Sequence, residues 1–172
     1  MIHFISQMAD RKSAWFILFL SALALQIVAL YFQYGMGLEP CIMCIYQRTA
    51  VYGILLSALL VLLKNNGVTR LLGFAGWVVS AGWGLLIALE HIEILNAKNP
   101  FFASCEIVPN FPTFMPLHEW LPTIFAAKGD CTENSWQFLA MGMAEWMRVI
   151  FAAYLIVFVI VFISRIVGKK HI

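Results

Sequence analysis

The residues with chemistry to offer are four cysteines, an arginine and a histidine. Two of the cysteines lie in the stretch PCIMCIYQR, at Cys41 and Cys44, and Arg48 follows one helical turn later. Thiols at this spacing serve redox exchange, metal binding or haem attachment, and their neighbours discriminate. Haem attachment needs His directly after the second cysteine, where this chain has Ile45. A zinc knuckle needs a second close pair, whereas Cys105 and Cys131 lie far from Cys41 and Cys44 and from each other. No metal is therefore expected. A purely structural bridge between residues three apart would remove little chain entropy. Redox exchange explains more, because the thiolate is the reactive form. A helix beginning near Cys44 would set that sulfur against free N–H groups and the positive end of the helix dipole. Arg48 would lie one turn on, on the same face. Cys41, outside the turn, would reach back to close the disulfide.

These thiols sit between apolar runs, and the runs define the fold. The chain has 172 residues, 62% hydrophobic and 12% charged, with a mean hydropathy of +0.86. A soluble domain averages about 45–50% apolar and about 25% charged residues, so this composition belongs in lipid. The net charge is +2, with no basic tract and no phosphate-binding glycine loop, which argues against a nucleic-acid partner. Four apolar runs, roughly 13–34, 45–63, 71–89 and 146–163, each approach the ~20 residues of a membrane-crossing helix. The first extends past the ~7–15-residue core of a signal peptide and reads as a span. The expected architecture is an all-α membrane protein, a four-transmembrane-helix bundle forming a single membrane domain over residues 1–172. Gly76, Ser80 and Gly84 recur every four positions and are expected to line a close helix contact.

Basic residues orient the bundle. Arg11, Lys12, Lys64, Arg70, Arg165, Lys169 and Lys170 all fall at the termini or in the short middle connector, which places that side in the cytoplasm. The connectors at roughly 35–44 and 90–145 then face outward, with both cysteine pairs in them. In a bacterium this compartment is the periplasm, where disulfides persist. Within the second outer loop, Leu117, Trp120, Leu121, Ile124 and Phe125 follow helical spacing, interrupted by His118, Glu119 and Thr123. A short amphipathic helix lying flat on the bilayer is expected there.

A dithiol that makes disulfides must pass two electrons on. The chain carries no flavin or haem fingerprint, whereas a membrane quinone needs an apolar slot and a few polar contacts. Arg48 is one such contact, and His91, at the outer end of the third span beside Glu90, is a second candidate.

The combination of PCIMCIYQR, LEHIEIL around His91, FASC at Cys105 and KGDC at Cys131 resembles the disulfide bond formation protein B (DsbB) family, over nearly the whole chain. The resemblance implies an inner-membrane thiol oxidase that reoxidises a periplasmic DsbA-like thioredoxin-fold partner and passes the electrons to ubiquinone or menaquinone. It implies Cys105 and Cys131 as the partner-facing pair, Cys41 and Cys44 as the quinone-facing pair, and Arg48 and His91 near the quinone. Members of that family often carry Glu where this chain has Gln47. Two other classes compete: an enzyme like vitamin K epoxide reductase, in which the CxxC follows the loop cysteines rather than preceding them, and a non-enzymatic membrane protein with structural disulfides.

Overall fold

The computed structural model describes residues 12–97, 110, 111, 116–132 and 136–169. Four helices in it are long and apolar enough to cross a membrane. They are α1 (Lys12–Leu30), which continues as a π-helical turn (Tyr31–Gly35), α2 (Ile42–Leu63), α3 (Gly67–Leu95) and α6 (Met143–Lys169). Two single turns, α4 (Leu117–Trp120) and α5 (Pro122–Phe125), and a hairpin of β1 (Gln137–Phe138) with β2 (Met141–Gly142) lie between α3 and α6.

The helices pack in chain order, α1 on α2, α2 on α3 and α3 on α6. Lipid is as apolar as leucine, so van der Waals fit and small residues must hold such a bundle together. The fit is reciprocal between α2 and α3. A Cβ on Gly76 would strike the Ser57 hydroxyl, and a Cβ on Gly53 would strike the Ser80 hydroxyl. Gly84, the third residue of the expected stripe, instead takes the ring of Phe151 from α6, a ring with no exposed surface. Trp15, Phe74 and Trp77 fill the opposite end in edge-on and stacked contacts. Large apolar side chains such as Ile17, Leu56, Leu86 and Ile160 point outward, as lipid-facing positions should.

Several elements depart from what the apolar runs alone suggest. Helix α3 does not stop near residue 89 but continues to Leu95, closed by the Asn96 cap. Its polar extension keeps the helical phase: Glu90 and Glu93 are exposed while His91 is buried in line with Gly84, Ile87 and Ala88. At its other end Asn66 and Thr69 form a capping box. The expected amphipathic helix is broken at Leu121 into α4 and α5, because Pro122 has no N–H to continue the ladder. Trp120 and Leu121 are exposed on it, and Phe125 is buried.

Candidate functional site

A helix start builds the dithiol. Cys41 has extended backbone (φ −75°, ψ 171°) and caps α2, its sulfur accepting the Cys44 backbone N–H at 3.3 Å. The first turn therefore carries Cys44 directly over its partner. The two sulfurs are 2.8 Å apart, and both are free thiols. Donation of the Cys41 proton to the Cys44 sulfur, followed by burial, pushes the Cys41 thiol well above the ordinary range, with His91 acting in the opposite direction. Cys41 thus holds the shared proton and Cys44 receives it.

Three polar side chains from two helices close around the pair. His91 is 4% exposed, with Nε2 3.8 Å from the Cys41 sulfur and Nδ1 3.4 Å from Nε2 of Gln47. Arg48 is buried rather than reaching to an interface. Its Nη1 donates to Gln33 Oε1 at 2.8 Å and to the Ile124 carbonyl at 2.6 Å. Buried Gln26 donates to the Arg48 carbonyl at 3.0 Å. One guanidinium thus joins the end of α1, the start of α2 and the turn α5.

The loop that carries Cys131 is clamped onto the helix start. Lys128 and Gly129 both donate their N–H to the Pro40 carbonyl, at 3.0 and 3.1 Å. A Cβ on Gly129 would strike the Glu39 carbonyl, so only glycine allows this approach. Asp130 accepts the Thr132 backbone N–H at 2.9 Å and the Thr132 hydroxyl at 2.8 Å, which fixes the turn around Cys131. Those two bonds, the backbone one foremost, hold the exposed Asp130 carboxyl below its usual range. Cys131 is disulfide-bonded, buried, and packed with Cys41 and Ile42 in one cluster. Cys105 lies outside the described residues. Earlier in the chain, Asn110 donates its N–H to the Tyr46 hydroxyl at 2.8 Å.

A cavity of about 330 Å³ opens between α1 and α6 and reaches Cys41, Cys44, Arg48 and His91. Aromatic side chains line it on the hairpin side: Phe32 meets Trp136 at 5.0 Å, Trp136 stacks on Phe138 at 6.2 Å, and Phe138 meets Trp146 at 6.0 Å. A second, almost wholly apolar cleft of about 750 Å³ continues between the same helices and shares Leu25, Val28 and Ile150 with the first. Together they form one path from mid-bundle to the thiols.

Of the residues singled out by sequence, Cys41, Cys44, Arg48 and His91 meet at this cavity and Cys131 lies against it. Sequence reasoning passed over Gln26 and Gln33, and marked Gln47 only as a departure from the Glu common in the family that the sequence resembles. An amide inside an apolar span was the available signal, since such a group must find a partner.

Residues 11–161 match the family described as Disulfide bond formation protein DsbB. The "Disulfide bond formation protein B" of Pseudoalteromonas atlantica is 56% identical over 98% of this chain and 99% of its own length. That of Pseudoalteromonas translucida is 45% identical over 99% of this chain and all of its own. The Shewanella sp. (strain ANA-3) protein of the same name is 46% identical over 96% and 94%. The chain belongs to the DsbB family and is a multi-pass membrane oxidoreductase of disulfide bond formation.

Proposed function

We propose that this protein sits in a bacterial inner membrane as a single domain with both termini in the cytoplasm. There it reoxidises a periplasmic DsbA-like dithiol oxidase and delivers the electrons to membrane quinone, ubiquinone or menaquinone. The observation that carries the reading is the cavity between α1 and α6, which joins an apolar cleft to the Cys41–Cys44 pair. A quinone fits its chemistry: an apolar path for a prenyl tail, ending at Gln47, Arg48 and His91, which can hold oxygens. Bound there, a quinone supplies a two-electron, two-proton acceptor.

The chain's own residues carry the thiol exchanges. The partner's thiolate attacks Cys105 of a Cys105–Cys131 disulfide, and Cys131 leaves as a thiolate. The partner's second cysteine breaks the mixed disulfide and departs oxidised, leaving both loop cysteines reduced. Cys131 then attacks the Cys41 sulfur of the Cys41–Cys44 disulfide, against which it packs, and Cys44 leaves as a thiolate. The helix start and the Arg48 charge favour that anion. Cys105 attacks Cys131, which restores the loop disulfide and returns a thiol at Cys41. Two electrons and two protons now reside on Cys41 and Cys44, facing the cavity.

The test uses the purified full chain in lipid nanodiscs with a defined quinone and a reduced thioredoxin-fold oxidase. One quinone reduced per disulfide formed is expected, with no turnover when quinone is omitted. Thiol oxidation at full rate without quinone would overturn the assignment of the acceptor.

A further inference from the structure

Cysteine spacing argues against a zinc knuckle, but it leaves out the ligand that folding adds. His91 comes from another helix and completes a donor set of two sulfurs and one imidazole. The Sγ atoms of Cys41 and Cys44 and a ring nitrogen of His91 all lie within 4.8 Å of one another. We propose that the reduced Cys41–Cys44 pair and His91 form a binding site for a thiophilic d10 cation of the Zn²⁺ class, and that occupancy holds the dithiol out of the electron path.

The geometry needs little adjustment. With metal–sulfur bonds near 2.3 Å and metal–nitrogen bonds near 2.0–2.1 Å, tetrahedral ligand atoms stand about 3.5–3.8 Å apart. The Cys41 sulfur and His91 Nε2 are already at 3.8 Å, while the two sulfurs, at 2.8 Å, must spread by about 1 Å. A side-chain rotation of Cys44 toward the cavity supplies that movement. Metal-bound histidines are oriented by a partner on their other nitrogen, and Gln47 stands at Nδ1 of His91. When Nε2 binds the metal, Nδ1 carries the proton, and the Gln47 amide turned over receives it at Oε1. The fourth position faces the cavity, whose wall includes Glu39 and Asp130. Their charge favours entry of a cation.

The chemistry balances without electron transfer. Two thiols release two protons, two sulfur–metal bonds form, and the metal keeps its oxidation state. Two thiolates neutralise the divalent ion, so the buried site gains no net charge. The disulfide form has no thiolate to offer, so the cation selects reduced protein and must leave before the pair can reoxidise. The inference holds whichever acceptor takes the electrons.

The test titrates Cd²⁺, a spectroscopic stand-in for Zn²⁺, into phosphine-reduced full-length protein in detergent. The loop cysteines are replaced (Cys105→Ser with Cys131→Ser) to isolate the site. One Cd²⁺ per chain with a thiolate-to-metal charge-transfer band is expected, and no band in the oxidised protein. His91→Gln should weaken binding by about 10-fold or more. X-ray absorption of Zn²⁺-loaded protein with all four cysteines should show two sulfurs and at least one imidazole nitrogen. Absence of the band, equal affinity in His91→Gln, or a shell of four sulfurs would each overturn the proposal.

Discussion

Cys131 and Cys41 lie in one buried cluster, although ninety residues of chain separate them. The contact depends on the paired N–H donations from Lys128 and Gly129 to Pro40. Such packing favours thiol exchange between these two sulfurs, because proximity removes most of the entropic cost of their encounter. A chain retaining only Cys41 and Cys131 (Cys44→Ser, Cys105→Ser) should therefore form a disulfide between them under mild oxidation. A chain retaining Cys44 and Cys131 should do so about tenfold more slowly, as Cys44 lies at the edge of that cluster. Peptide mapping under non-reducing conditions reads both, and equal rates would remove the preference for Cys41.

Gly129 tests the clamp itself. In Gly129→Ala the new methyl group meets the Glu39 carbonyl, which is backbone and cannot swing aside. The loop turn must lift from the helix start. Reduction of the Cys41–Cys44 disulfide by a small dithiol should continue at the parent rate. Its reduction through the loop cysteines should fall by about tenfold or more, as expected when a reacting group is displaced by about 1 Å. Stopped-flow measurement of both routes on one preparation separates the clamp from general misfolding.

The shared proton gives a pH signature. A raised pKa means that Cys41 remains a thiol through neutral pH, and the thiolate is the form that alkylates. Brief treatment of the reduced protein with a neutral alkylating reagent at pH 7 should modify Cys44 and spare Cys41. Raising the pH should not reverse that order, because the proton Cys41 donates to Cys44 and the burial of Cys41 both act to keep it a thiol. His91→Gln removes the group that opposes the shift, so Cys41 should become still less reactive. Mass spectrometry of the modified peptides would refute this if Cys41 labels first.

Much of the architecture is legible in the chain because a bilayer imposes it. Apolar runs of spanning length leave few alternatives to helices, and the stripe of Gly76 and Ser80 does face α2. What escapes is set by phase and by three-dimensional partners. The apolar run of α3 ends before Glu90, yet a helix continues wherever its buried face continues. His91 falls one turn beyond Ile87, on that face. The turn of the hairpin, at Leu139 and Ala140, carries neither the glycine nor the asparagine that signals a tight turn. Leu139 and Ala140 both adopt left-handed backbone (φ 52° and 60°), which such residues rarely take alone. Tertiary ties supply the reason: Trp146 donates its indole N–H to the Phe138 carbonyl, and Glu145 accepts the Gly142 N–H. The dithiol and its arginine stand out by type and spacing, whereas Gln26 and Gln33, and the contact of Gln47 with His91, acquire meaning only once the helices are assembled around Arg48 and His91.

Close packing of α2 on α3 should be intolerant of volume. Gly76→Leu drives a side chain into Ser57, and overpacking of this kind costs about 1–3 kcal/mol. The detergent-solubilised variant should unfold at lower temperature than the parent. Pairing it with Ser57→Gly should recover part of the loss, since that substitution vacates the space. No recovery in the double variant would mean that the strain lies elsewhere on the helix.

Arg48 carries the most consequential prediction, because its side chain serves two ends. One Nη1 atom ties Gln33 and the Ile124 carbonyl, and the same residue lines the cavity beside Cys44. A hydrogen bond from a charged donor is worth about 1.5–3 kcal/mol, so if Arg48 donates one to the proposed acceptor, Arg48→Ala should weaken acceptor binding by about 10- to 150-fold. It should also loosen the α5 turn, seen as faster amide exchange at Phe125 and Ala126. Arg48→Lys keeps the charge but loses the planar fork, so one ammonium must choose between Gln33 and Ile124. It should recover the acceptor step in part and the amide protection hardly at all. A residue that merely anchored the helix at the membrane surface would lower the yield of folded protein and leave the kinetics of each molecule unchanged. The deciding measurement is the acceptor KM and turnover of purified, folded Arg48→Ala, with direct reduction of its loop disulfide as the internal control. If KM and turnover both match the parent, Arg48 holds the loop in place and has no part in acceptor binding.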